Sequence, residues 1–169
     1  EQLKSEFLIK CDFSNDTNID KCFLEISKKW KFIDFIIHAV AYSDKNELSG
    51  KYINTSKENF INTLHISCYS FTKIANLASS LMVNGGSLIT LTFHGSKKVM
   101  PYYNVMGVAK AALETSVKYL SVDLGKKNIR VNAISAGPMR TLSGAVIKKS
   151  REVYKYTQIN SPLKRNVYL

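Results

Sequence analysis

Tyr103 and Lys110 stand seven residues apart in Pro101-Tyr-Tyr-Asn-Val-Met-Gly-Val-Ala-Lys-Ala-Ala-Leu-Glu114. A phenol close to a fixed ammonium can stabilise an oxyanion and hold the hydroxyls of a ribose. In a helix, seven residues turn through about 700°, roughly 20° short of two turns, so both side chains project from one face about 10 Å apart along the axis. Such pairs also arise by chance on surface helices, so a second pattern is needed to give this one weight. It comes downstream, in Asn128-Ile-Arg-Val-Asn-Ala-Ile-Ser-Ala-Gly-Pro-Met-Arg-Thr141, where an apolar run ends in Ala136-Gly137-Pro138 and is followed by the Thr141 hydroxyl.

The elements that must position these residues alternate along the chain. Phe7-Leu-Ile-Lys-Cys-Asp12 reads as a strand, and Ser14 to Asn18 offers helix-capping residues before Ile19, Cys22, Phe23 and Ile26 at helical spacing. Phe32 to Val40 is nearly all apolar, as a strand covered on both faces would be. Residues 41–55 are polar and irregular. A long helical pattern from Ser56 to about Met82 carries Phe60, Leu64, Ser67, Cys68, Phe71, Ile74 and Leu81, and Gly85-Gly86 closes it. Ser87 to Phe93 is a second apolar strand, the Tyr103 helix runs to about Gly125, and Ile129 to Ser135 is the last strand. Ala145 to Tyr156 is a short amphipathic stretch. Strand–helix alternation with apolar strands predicts an α/β, doubly wound, Rossmann-like parallel sheet with helices on both faces. Ligands in such sheets bind beyond the strands' carboxyl ends, where Asp12, Ala39 to Ser43, Thr92-Phe93 and Ala136 to Thr141 would form one rim.

With those residues in view, Tyr-Asn-Val-Met-Gly-Val-Ala-Lys and Val-Asn-Ala-Ile-Ser-Ala-Gly-Pro-Met-Arg-Thr resemble the NADH-dependent enoyl-[acyl-carrier-protein] reductases of bacterial fatty acid synthesis. These are a divergent branch of the short-chain dehydrogenases/reductases. Other members of that superfamily place Tyr and Lys four apart; here Met106 and Gly107 occupy those offsets, and the seven-residue spacing with Met106 between is the branch's own. The resemblance implies reduction of trans-2-enoyl-acyl-carrier-protein thioesters with NADH, the last step of fatty acid elongation. Tyr103 and Lys110 become catalytic. Cofactor contacts fall to Asp12, Phe13, Val40, Ala41, Lys110, Gly137, Pro138, Met139, Arg140, Thr141, Leu142 and Ser143. Substrate contacts fall to Tyr42, Ser43, Leu48, Phe93, Tyr103, Met106 and Ile147, with a substrate lid over about 141–157 in one partial domain, 1–169. Phe93 departs from relatives that carry a second tyrosine there, which reduces its implied role to packing. Tyr102 is expected to face away from Lys110. The resemblance also implies an acyl-carrier protein partner, a cytoplasmic location and a homotetramer packed through the long helices.

No glycine-rich strand–turn–helix, the usual pyrophosphate cradle, precedes Phe7. The resemblance starts at the family's third strand and stops before its last, so the chain is expected to be an internal piece lacking the first strand–helix–strand unit, with poor NADH affinity of its own. Two other readings stay open: a ketoacyl or alcohol reductase of the wider superfamily, and an inactive truncated binding protein.

Composition narrows the classes. The 169 residues, 45% hydrophobic, are enough for one core. No apolar run is long enough to span a membrane. The net charge of +11 comes from scattered lysines without a dense basic run among aromatics, which argues against nucleic acid and favours an acidic carrier as partner. Cys11, Cys22 and Cys68 have no metal spacing and read as small buried hydrophobes. His38, ending an apolar strand, reads as a satisfied core histidine. No metal is assigned.

Overall fold

Three strands, β1 (Phe35–His38), β2 (Gly86–Thr92) and β3 (Ile129–Ser135), form one parallel sheet in the order β1-β2-β3. The computed structural model describes residues 5–139, 141, 144 and 148–167. α1 (Asp16–Lys29) precedes β1; parallel neighbours require crossovers, and these are α2 (Lys45–Leu48), α3 (Lys57–Leu64) and α4 (Ser70–Ser79) between β1 and β2, and α5 (Asn104–Gly125) between β2 and β3. A last helix, α6 (Ser150–Asn160), follows β3.

Local chemistry starts these helices where the sequence places them. The Asn15 side chain accepts from Thr17 N before α1, Asp16 lies in the first turn, and Lys28 and Lys29 lie in the last. Cap and charges match the orphan donors and the helix dipole. Ser56 caps α3 in the same way, accepting from Asn59 N.

Strand alternation sorts the sheet into two faces. His38, Leu88, Thr90, Thr92, Ile129 and Val131 are buried on one. There Leu88, Ile129 and Val131 pack with Ile19 and Phe23 of α1, Phe71, Ile74, Ala75 and Ala78 of α4, and Leu113 and Leu124 of α5. On the other face Phe35 is 64% and Ile37 58% exposed. The parallel, Rossmann-like sheet is as expected, but β1 is shorter than the Phe32–Val40 run and is not covered on both sides among the described residues.

Three expectations need correction. Phe7 to Asp12 is not a strand: no described strand runs beside it, and an extended segment without a ladder partner gains no sheet hydrogen bonds. Residues 41–55 are not wholly irregular, since α2 and a 3₁₀ turn at Tyr52–Asn54 lie within them. The long helix from Ser56 is interrupted by a π-helical turn at His65–Tyr69, where Ser70 N–H reaches back to His65 O. Such turns insert one residue into an α-helix and often mark functional positions.

Candidate active site

Tyr103 is the residue before α5 rather than a residue within it (φ −113°, ψ −27°). Its neighbours Tyr102 and Asn104 have positive φ, 61° and 36°. Non-glycine residues rarely adopt that region, and where they do the surroundings must hold them. Here Asn104 Nδ2 donates to Glu47 O at 3.0 Å, tying the helix entry to α2. Tyr102 therefore does not follow the helical geometry that would turn it away from Lys110. Its ring instead has Lys148 Nζ 5.5 Å from its centroid.

The Tyr103 ring is wedged between two backbone segments. A Cβ on Gly95 would lie 2.5 Å from Tyr103 Cδ1, and one on Gly107 would lie 2.8 Å from Gly95 O. Both positions thus demand the absence of a side chain. Phe93 closes the third side with its ring edge-on to Tyr103, centroids 5.0 Å apart. Glu114 anchors this turn from α5, accepting from Thr92 Oγ1 (2.8 Å) and Ser96 Oγ (2.5 Å). Burial pushes the Tyr103 phenol up to about 12, so it remains a protonated donor at neutral pH.

Lys110 is buried, only 6% exposed, near Cys68. Its Nζ donates to Leu91 O at 2.7 Å, at the carboxyl end of β2. Desolvation lowers its pKa to about 8, with the nearby Cys68 thiol acting weakly the other way. Lys110 and Tyr103 share a cavity of about 520 Å³ with Ala41, Tyr42, Ser43, Leu48 and Met106. Leu48, Tyr103 and Met106 form its apolar side, with Phe93 and Met100 behind them.

Other residues singled out from the sequence lie apart from this cavity or outside the described residues. Asp12 is exposed, and Oδ1 accepts from Ser14 N (2.9 Å) and Ser14 Oγ (2.7 Å), which lowers its pKa. Phe13 packs half-buried against the core, its ring centroid 6.3 Å from that of His38. Val40 is half-buried at the end of β1. Gly137, Pro138, Met139 and Thr141 follow β3 on the same carboxyl rim, with Thr141 Oγ1 accepting from Gly144 N at 3.0 Å. Gly144 lines the cavity. Arg140, Leu142, Ser143 and Ile147 lie outside the described residues, as does part of the 141–157 lid.

His38 is a satisfied core residue. Nε2 meets Ser70 Oγ at 2.8 Å and Nδ1 meets Thr90 Oγ1 at 3.0 Å. Both hydroxyls also donate to backbone carbonyls, Ser70 Oγ to Ile66 O at 2.7 Å and Thr90 Oγ1 to His38 O at 3.2 Å, so each ring nitrogen faces an oxygen that can accept from it. Burial, with Lys110 adding to it, lowers the ring to about 4 and keeps it neutral. Cys11, Cys22 and Cys68 are free thiols, but only Cys68 is fully buried. Among the described residues no cluster of His, Cys, Asp and Glu could hold a metal, and no helix is long and apolar enough to cross a membrane.

Sequence reasoning missed Ser67, Asn59, Thr63, Glu114, Gly95 and Gly107 as parts of the site. The only signal available was buried polarity at spacing four along one helix, Asn59, Thr63 and Ser67.

A parallel sheet whose carboxyl rim carries a buried tyrosine and lysine over one cavity defines a short-chain dehydrogenase/reductase core. The profile described as "Enoyl-(Acyl carrier protein) reductase" matches residues 1–169. The NADH enoyl-[acyl-carrier-protein] reductase 1 of Rhizobium meliloti is 55% identical over 93% of this chain and 58% of its own length. The corresponding enzyme of Rickettsia prowazekii is 50% identical over 99% and 64%. The crystal structure of FabI from Candidatus Liberibacter asiaticus superposes with a TM-score of 0.94 at 51% identity, over 98% of this chain and 64% of that one. The Anaplasma phagocytophilum reductase, solved with NAD, gives 0.90 at 52%, over 98% and 61%. The chain thus spans about three-fifths of the length of these relatives. It belongs to the enoyl-[acyl-carrier-protein] reductase family.

Proposed function

We propose that the protein bearing this sequence reduces trans-2-enoyl thioesters carried by acyl-carrier protein, with NADH, in the last step of a fatty acid elongation cycle. The observation that carries the reading is the shared cavity of Tyr103 and Lys110, with an apolar side suited to an acyl chain. The named activity of the relatives supports it.

The residues present fit NADH. One of the three N–H groups of the Lys110 ammonium goes to Leu91 O, which leaves two for ribose hydroxyls. Ala41 and Val40 allow close approach of the cofactor to the backbone, with Asp12 and Phe13 on the adenine side. Gly137, Pro138, Met139 and Thr141 take the carboxamide and phosphate side, together with Arg140, Leu142 and Ser143. When bound, NADH supplies a hydride to the β-carbon of the enoyl chain.

The protein's own part is electrostatic and steric. The Tyr103 phenol, kept protonated by burial, donates to the thioester oxygen as negative charge moves onto it. Lys110 adds positive potential beside that oxygen. Leu48 and Met106 exclude water from the reacting carbons, joined by Tyr42 and Ser43 and, from the lid, Ile147. Phe93 cannot donate a hydrogen bond and serves by packing Tyr103. The reading extends to a cytoplasmic homotetramer that accepts its substrate from an acidic carrier, for which the net charge of +11 is favourable.

NADH oxidation by the protein bearing this sequence, offered an enoyl thioester and separately a ketoacyl thioester, tests the reading. Turnover of the enoyl substrate alone is expected. Turnover of the ketoacyl substrate instead, or of neither by folded protein, would overturn it.

A further inference from the structure

The pocket wall opposite α5 is held by a buried polar stripe that the proposed chemistry does not use. Asn59, Thr63 and Ser67 follow one another at intervals of four along α3 and the π turn, and Thr63 and Ser67 are 0% exposed. In a plain α-helix, steps of four drift about 40° each around the axis. The wider π turn advances fewer degrees per residue, which keeps Ser67 facing the same loop.

Each member of the stripe grips the segment Tyr42 to Asp44. The Ser67 hydroxyl accepts from Tyr42 N at 2.9 Å and donates to Tyr42 O at 3.0 Å. Thr63 Oγ1 donates to Ser43 Oγ at 3.0 Å, and Ser43 Oγ donates on to Asn59 Oδ1 at 3.3 Å. Asn59 Oδ1 also accepts from Asp44 N at 2.9 Å. Met106 Sδ, on the cavity side, lies 3.8 Å from Ser67 Oγ.

Two consequences follow. The N–H and C=O of Tyr42 and the single hydroxyl hydrogen of Ser43 are all used inside the wall, while the side chains of Tyr42 and Lys45 line the cavity. The position of the wall relative to Tyr103 depends on hydroxyls that never reach the substrate.

We infer that Ser67, supported by Thr63 and Asn59, is a positioning residue that fixes the Tyr42–Asp44 wall on the acyl side of the pocket. The inference rests on the reductase reading. Removing the Ser67 hydroxyl strands the N–H and C=O of Tyr42 and frees the wall to move, while Lys110 and its Leu91 contact stay as they are.

The test compares Ser67→Ala and Thr63→Val with the unaltered protein, measuring KM and kcat for a crotonyl thioester, the NADH dissociation constant and the thermal midpoint. The thioester KM should rise about fivefold or more in each folded variant, with kcat and NADH affinity within about twofold, the pattern of lost ground-state positioning. If Ser67→Ala does not fold, Thr63→Val decides whether the stripe positions the wall, since it unties Ser43 while leaving the Tyr42 contacts whole. An unchanged KM overturns the inference, as does a KM that rises in parallel with the NADH constant and a falling midpoint, the mark of general loosening. An unaltered protein that turns over no enoyl thioester sinks the reductase reading and this inference together. An active one with unmoved variants sinks only the inference.

Discussion

Lys110 holds its charge at a cost, because burial draws its pKa down to about 8. In the cofactor-free protein the ammonium is therefore intact at pH 7 and is lost as pH rises through that value. The groups facing it do not replace it: His38 is neutral and Tyr103 remains a phenol. NADH affinity, followed by fluorescence titration, should be flat from pH 6.5 to about 7.5 and weaken above about 8. A constant affinity to pH 9.5 would remove Lys110 from cofactor binding. At this scale the sequence was most legible, since spacing and neighbours singled out Tyr103 and Lys110, and the structure brings them to one cavity with Tyr42, Ser43, Leu48 and Met106. What spacing could not reveal is how each is held. The Leu91 carbonyl that orients Lys110 is a backbone group, and no side-chain pattern announces it.

Between residue and fold lies the turn His94–Ser96 that backs Tyr103. Gly95 and Gly107 let this turn and α5 approach until ring and backbone touch. A methyl group at Gly95 has no room, so Gly95→Ala should swing the Tyr103 ring away and cost about 1–3 kcal/mol by overpacking. Urea denaturation and kcat check both parts: stability and turnover should fall together, and an unaffected variant would contradict the close approach. Helix and strand types were readable from periodicity for α1, α5, β2 and β3. The π turn was not, because hydrophobic spacing barely registers one inserted residue. Tyr103 was placed inside the helix for a related reason: a pattern of side chains does not show where αR geometry begins, and the positive φ of Tyr102 and Asn104 moves that start past Tyr103. Phe7 to Asp12 misled in the opposite way, apolar enough for a strand but without a described neighbour to pair with.

For the whole molecule, the buried bridge from β1 through β2 to α4 runs through one neutral imidazole. His38 has a folded pKa near 4 against an ordinary value of 6.5. Its stabilisation is complete above about pH 6.5 and is lost as pH falls toward 4, because the unfolded chain takes up the proton first. The loss should reach roughly 3 kcal/mol by pH 4. Urea midpoints at pH 7.5, 6 and 5 should decline for the unaltered protein and decline less for His38→Gln; identical slopes would contradict this. The parallel sheet was legible because its strands alternate with helices. The open face carrying Phe35 and Ile37 was not, since apolar runs look alike whether one face is covered or two. The central claim, that Tyr103 stabilises the charge developing on a thioester oxygen, is tested most directly by kcat of Tyr103→Phe with an enoyl thioester and NADH. The account predicts a fall on the order of 10²-fold, with the NADH dissociation constant within about twofold; an undiminished kcat would contradict it.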